Sequence, residues 1–160
     1  MITIKFENDR TLEIRKNTLS HSILTGFDFH RAIFDNLDLE GADFRGSGLR
    51  SASLRNVHAV KANFSSVPLM TSDFSHAKLK GAKFLSSKAM YSYFNQADLS
   101  DVDMTGSNVA GADFTGSDLR GAIMLCGGVD NIKLDGAQYD SATVWPDNFD
   151  PSVKNAVMVK

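Results

Sequence analysis

Residues 111–122 read GADFTGSDLRGA. Gly111 and Gly116 stand five apart and Ser117 follows, which is most of the loop G-x-x-x-x-G-K-[ST] that cradles nucleotide phosphates. The lysine is missing, and the same spacing runs far beyond this stretch. Stepping by five from Leu24 to Val144 meets 25 residues, and every one is apolar. With 42% apolar residues in the chain, chance would give this at about 10⁻⁹ for a fixed phase, so the period belongs to the architecture.

Each five-residue unit has an internal logic. Two residues before each apolar centre the side chain is Ala, Ser or Gly in 19 of the 25 units, including Ala112, Ser117 and Ala122. The residue between is mostly polar, as at Asp43, Asp98, Asp103, Asp113 and Asp118. Alternate residues of an extended chain share a face, so a unit reads small inward, polar outward, large inward. Nine of the 12 glycines lie two residues after a centre. Glycine takes the positive φ that the third residue of a type II turn requires, so each unit ends in a corner. Short strands and corners that repeat without a helical period predict a solenoid whose coils pair as parallel sheet.

The units Ala42-Asp43-Phe44-Arg45-Gly46, Ala97-Asp98-Leu99 and Ala112-Asp113-Phe114-Thr115-Gly116 resemble those of the pentapeptide-repeat family, over about residues 22–146. The resemblance implies an all-β fold, a right-handed quadrilateral parallel β-helix with four units per coil. About six coils would give a rod of about 30 Å. Positions 20 apart then stack. Phe34, Leu54, Phe74, Phe94, Phe114 and Leu134 form one internal ladder. Leu24, Phe44, Phe64, Phe84, Met104, Met124 and Val144 face it, and Leu39, Ala59, Leu79, Leu99, Leu119 and Tyr139 line a third side. Such a core needs no cofactor.

The 160 residues fit a single domain. Residues 1–21 alternate around Glu7-Asn8-Asp9-Arg10 and predict a β-hairpin cap on the repeat of 22–146. Residues 147–160 predict a short helical cap. Asp150-Pro151 suits a helix start, and Val153, Ala156 and Val157 give it an apolar stripe. The same segment could instead form a homodimer contact, as the resemblance to some family members allows.

Candidate chemistry is sparse. Asp98, Asp101 and Asp103 lack the rest of a calcium-loop pattern. Ser75-His76-Ala77-Lys78 matches S-x-x-K outside its fold context. His21, His30, His58 and His76 show no ligand spacing. The expectation is no enzyme, no metal and no cofactor. With 17 basic and 19 acidic residues the net charge is −2, which gives no pull toward nucleic acid or an anionic membrane. No transmembrane run or signal-like start is visible, and the single Cys126 suits a reducing compartment, so the expected location is cytoplasmic.

Two features stand apart from the repeat. Residues 77–96 carry Lys78, Lys80, Lys83 and Lys88 without an acid, and residues 97–116 carry Asp98, Asp101, Asp103 and Asp113 without a base. Stacked coils would set Lys78 on Asp98 and Lys83 on Asp103 as cross-strand pairs. The other reading is a basic belt for an acidic partner. The second feature is a break in the outward-polar rule. Val67-Pro68-Leu69-Met70 and Ser87-Lys88-Ala89-Met90-Tyr91 stack on one side, with Tyr93 round the corner. Either Met90 or Tyr91 turns inward to fill the space that Ala89 leaves, or Met70, Lys88, Met90, Tyr91 and Tyr93 form an exposed site for a protein partner.

The expected function is therefore a non-catalytic protein-interaction scaffold of unidentified partner. The resemblance offers an alternative: some family members mimic B-DNA, bind type II topoisomerases such as gyrase and confer fluoroquinolone resistance. That would require a long uncompensated acidic stripe. Here the bases Arg45, Arg50, Arg55, Lys61, Lys78, Lys83 and Arg120 are spread along the repeat.

Overall fold

The computed structural model describes residues 1–160. Its β-bridges are almost all parallel and join residues 20 apart. They fall into four ladders, and each ladder is a column of the outward-facing residues. One runs through Asp28 and Gly48 and, further along, Pro68, Lys88, Asn108 and Gly127. The second follows Ile33, Ser53, Asp73, Tyr93, Asp113 and Lys133. The third follows Asp38, His58, Lys78, Asp98, Asp118 and Gln138, and the fourth Ile23, Asp43, Asn63, Lys83, Asp103, Ile123 and Val144. A step of 20 over units of five makes four sides per coil, so the repeat is a four-sided parallel β-helix.

Backbone hydrogen bonds knit the coils together. Phe44 N donates to Asn63 O at 2.9 Å and Asn63 N to Ala42 O at 2.8 Å, and equivalent pairs recur around the rod. The inward centres are buried from Leu24 to Leu134. Phenylalanine rings of one column lie flat on each other, with centroids 5.0 Å apart for Phe44–Phe64, Phe64–Phe84 and Phe94–Phe114. Rings of facing columns meet edge to face, as Phe84 and Phe94 do at 5.7 Å. Both arrangements suit the aromatic quadrupole. Two inward serines satisfy their hydroxyls on the neighbouring coil: Ser72 and Ser92 donate to Leu49 O and Leu69 O, each at 2.6 Å, whereas the buried hydroxyls of Ser87 and Ser117 have no partner.

The corners follow the predicted geometry more strictly than the glycines suggested. Every fifth residue from His21 to Gly121 has a positive φ, and 13 of these 21 are not glycine. Most turns are closed by the amide three residues after a centre, as Ala32 N donates to Phe29 O at 3.0 Å. A non-glycine residue held left-handed costs about 1–2 kcal/mol. Repeated ladder bonds to the neighbouring coils hold it there, since corner amides pair as well: Lys61 N donates to Lys80 O at 2.9 Å.

The period slips twice, both times in the last coil. Asn108 pairs with Gly127 and Ile123 with Val144, steps of 19 and 21. Cys126, rather than Gly127, takes the small inward position, and a 3₁₀ turn at Val129–Asn131 absorbs the displaced residue. The step is back at 20 for Lys133 and Gln138, and one further residue inserted before Val144 keeps Val144 from being an inward centre. Val144 faces outward and is 43% exposed, while Tyr139 packs edge to face on Trp145 with centroids 6.0 Å apart.

At the amino end β1 (Ile2–Phe6) pairs antiparallel with β2 (Thr11–Ile14), turning through Asp9 in a left-handed conformation. The other edge of β1 pairs antiparallel with β3 (Ala32–Ile33) of the first coil, and Ile4 and Phe6 are buried.

The carboxyl end departs from the expected helix with an apolar stripe. Asp150 does cap a turn, accepting from Ser152 N at 2.9 Å, but the turn is a 3₁₀ segment of Pro151–Lys154 that left-handed Asn155 ends. Val153 is 76% exposed and contributes no buried face. The chain then runs extended. Strand β5 (Val157–Met158) pairs parallel with β4 (Gln138–Tyr139), and Val157 N donates to Ala137 O at 2.7 Å. Joining an existing ladder satisfies more backbone groups than one isolated helical turn would. No helix is long and apolar enough to cross a membrane.

Candidate functional site

The five sequence-selected residues sit around one corner of the rod. Lys88 is an outward residue of the first ladder, and Ala89 next to it is a fully buried centre. Ala89 does not distort its coil: its amide donates to Asn108 O at 2.9 Å, and its carbonyl accepts the turn bond from Ser92 N. Neither Met90 nor Tyr91 turns inward. Met70 and Met90 are half-buried turn residues, stacked one coil apart. Tyr91 is the left-handed corner residue, with φ of 57° and 64% exposure. Tyr93 begins the next side and is 49% exposed. Buried Ser92 between the two tyrosines anchors the corner through its bond to Leu69 O.

The apolar break itself is smaller than the sequence suggested. Val67, Leu69, Ser87 and Ala89 are inward residues and belong to the core. What remains outside is Pro68, Met70, Lys88, Met90 and Tyr91 on one side and Tyr93 on the adjoining one.

Tyr91 owes its position to the next coil. A Cβ at Gly111 would lie 2.5 Å from two carbons of the Tyr91 ring, so the ring rests on the bare glycine corner. The tyrosine is thereby laid against the rod with its outer side free. Tyr93 edges a shallow cavity of about 550 Å³ on the adjoining side, floored by Ser51, Ser53 and Thr71. Ser51 Oγ and Thr71 Oγ1 are 2.9 Å apart, and Arg55 closes the wall, held at 2.8 Å by Asp35. Sequence reasoning missed this depression. Its signal was Ser53, a small outward residue between Ile33 and Asp73 at a spacing of 20.

The expected Lys78–Asp98 and Lys83–Asp103 ion pairs do not form, although the register places each pair in direct opposition. Local bonds win. Asp98 Oδ1 accepts from Ser100 N at 3.0 Å and Ser100 Oγ at 2.6 Å, and Asp103 Oδ1 accepts from Thr105 N at 2.9 Å and Oγ1 at 2.6 Å. The same two-residue clasp binds Asp118 to Arg120 and Asp43 to Arg45. In both, the guanidinium holds the carboxyl below its usual range against the opposing effect of burial. No three His, Cys, Asp or Glu side chains gather at one point.

A rod of five-residue units, four to a coil, with left-handed corners and a phenylalanine-stacked interior defines a repeat solenoid that presents flat sides. The family described as pentapeptide repeats matches residues 18–50, 48–84 and 91–124 in eight copies. The chain belongs to that family. Among solved structures, a pentapeptide repeat protein from the thylakoid lumen of Arabidopsis thaliana is 27% identical. The match covers 69% of this chain and 70% of that one, with a TM-score of 0.51. A pentapeptide repeat protein of the cyanobacterium Cyanothece 51142 is 22% identical over 89% of this chain and 77% of its own, with a TM-score of 0.43. QnrB1, a plasmid-mediated fluoroquinolone resistance protein, is 16% identical over 92% and 87%, with a TM-score of 0.48. No curated protein matches the sequence.

Proposed function

We propose that the protein is a non-catalytic interaction scaffold and that a protein partner docks on the ridge formed by Met70, Lys88, Met90, Tyr91 and Tyr93. The observation that carries this is the placement of two tyrosines, 64% and 49% exposed, on either side of a corner whose backbone is fixed by ladder bonds. Tyrosine offers a large amphipathic contact at little entropic cost, and the half-buried methionines beside it can adapt to the partner. The hairpin and the β5 tail, on this reading, shield the two ends of the solenoid from edge-to-edge association.

The charge pattern speaks against the DNA-mimic alternative. Residues 44–97 hold eight Lys and Arg against the single Asp73, so the middle of the rod has net charge 8 − 1 = +7. DNA presents one negative charge per about 1.7 Å without such a reversal.

Affinity capture from the native host, comparing wild type with Met90→Asp and Tyr91→Ala, tests the site. The expected result is a specific partner recovered by the wild type and lost with either variant, while far-UV circular dichroism is unchanged. Equal recovery by all three removes the ridge from consideration.

A further inference from the structure

The ridge lies at the corner between the first and second ladders. The corner diagonally opposite, between the third and fourth ladders, has a different character at the same height of the rod. Lys78 and Lys83 are outward residues on its two sides, Lys80 precedes the corner glycine Gly81, and Lys61 is the corner residue one coil earlier. All four side chains are exposed, and exposed His58 stands one coil before Lys78 in the same ladder. Gly81 leaves the corner low, and the stem of Lys61 lies over it, 3.6 Å from where a Cβ would be.

The clasps described above leave Lys78 and Lys83 without a contact ion pair, while the clasped aspartates keep their charge. Only Lys80 has a carboxylate within ion-pair distance, Asp101 at 3.6 Å. The acids that oppose Lys78 and Lys83 are committed to Ser100 and Thr105. The four like charges share one corner, and an anionic ligand can approach them because no carboxylate is in contact with Lys61, Lys78 or Lys83.

We propose that the Lys61, Lys78, Lys80 and Lys83 corner is a second docking surface, and that its partner is a short acidic segment of another protein with three or four carboxylates. The length of the belt selects that chemistry. Successive coils are about 4.8 Å apart, so the four lysines span only one coil step along the axis. Beyond the belt the sign reverses: residues 1–43 have net charge 5 − 8 = −3 and residues 98–160 have 4 − 10 = −6. A nucleic acid strand following the rod would run onto acidic coils at both ends. A compact acidic segment meets only the belt.

Fluorescence anisotropy with a labelled Asp/Glu-rich peptide of eight to ten residues tests this at low salt. Wild type is expected to bind, with affinity falling as salt rises. Lys78→Gln/Lys83→Gln should weaken binding about tenfold, whereas Lys78→Arg/Lys83→Arg should retain it. Lys154→Gln/Lys160→Gln, which changes the net charge equally, should leave it within about twofold. Tyr91→Ala should bind normally, so failure here and failure of the ridge are separate results. The proposal is overturned by absence of peptide binding, by equal loss in the two Lys→Gln doubles, or by a single-stranded oligonucleotide binding as tightly as the peptide.

Discussion

Two glycines with left-handed backbones should respond very differently to the same added methyl group. Gly116 has φ of 67° and Gly128 has φ of 82°, so alanine is strained at both by about 1–2 kcal/mol. At Gly116 the new Cβ would collide with the side-chain amide of Gln96, an exposed and flexible group that can swing away. At Gly128 it would lie 2.6 Å from Ala110 N and 2.7 Å from Ala110 Cα. That backbone cannot yield freely, because Ala110 O accepts from Tyr91 N at 2.9 Å and Ala110 N donates to Asn108 Oδ1 at 3.1 Å. Overpacking against fixed atoms adds about 1–3 kcal/mol. Gly128→Ala should therefore cost about 2–5 kcal/mol and Gly116→Ala about 1–2 kcal/mol. Urea unfolding followed by far-UV circular dichroism measures both, read as midpoints at constant slope. For a chain of this size the difference should also lower Tm by about 2–4 °C per kcal/mol. Equal costs, or a larger cost at Gly116, would show that contact with the neighbouring coil does not set the requirement for glycine in the last coil.

Two further outcomes follow from titrating groups. Asp118 is held below the usual carboxylate range by the Arg120 guanidinium. Its folded pKa lies beneath the unfolded value of about 3.9, so its contribution is complete above that value and is lost as pH falls through the folded one. The stability gap between wild type and Asp118→Asn should hold at neutral pH and close below about pH 4, as thermal melts across pH would register; a gap that stays constant in acid refutes the assignment. Cys126 is buried in the last coil, and burial pushes its thiol up to about 12. Iodoacetamide should leave it unmodified in native protein near pH 8 and label it as urea opens the coil, whereas fast native labelling would contradict the inward placement.

Much of the fold is legible in the sequence because the inward rule is severe. A phenylalanine such as Phe64 or Phe94 has no outward alternative at its position, so the period survives almost without exception. Corners are less legible. Thr71 and Tyr91 are poor left-handed residues in isolation, yet the coils on either side hold them there. The first slip in the last coil was hidden by coincidence, since Gly127 is small like the inward residue that the period calls for there, and apolar Val129 stays buried despite the shift. The lysine–aspartate pairs failed for a local reason. A serine or threonine two residues after an aspartate offers it two donors at once, which a lysine 20 residues away cannot match. At the candidate site the sequence left open whether Met90 or Tyr91 turns inward beside Ala89, and only the structure shows Tyr91 exposed at the corner. The depression beside Tyr93 was not legible either, because it depends on Ser51, Ser53 and Thr71 meeting across neighbouring coils.

The step of 20 residues between ladder partners also determines how the rod yields to force. Each coil is bonded only to the coils before and after it, so a pull on one terminus loads the outermost ladder bonds alone. A freed coil of 20 residues extends to about 70 Å at roughly 3.5 Å per residue. Under tension the molecule should lengthen in a series of such increments as it unwinds from its end, the mechanical signature of a spring built one turn at a time.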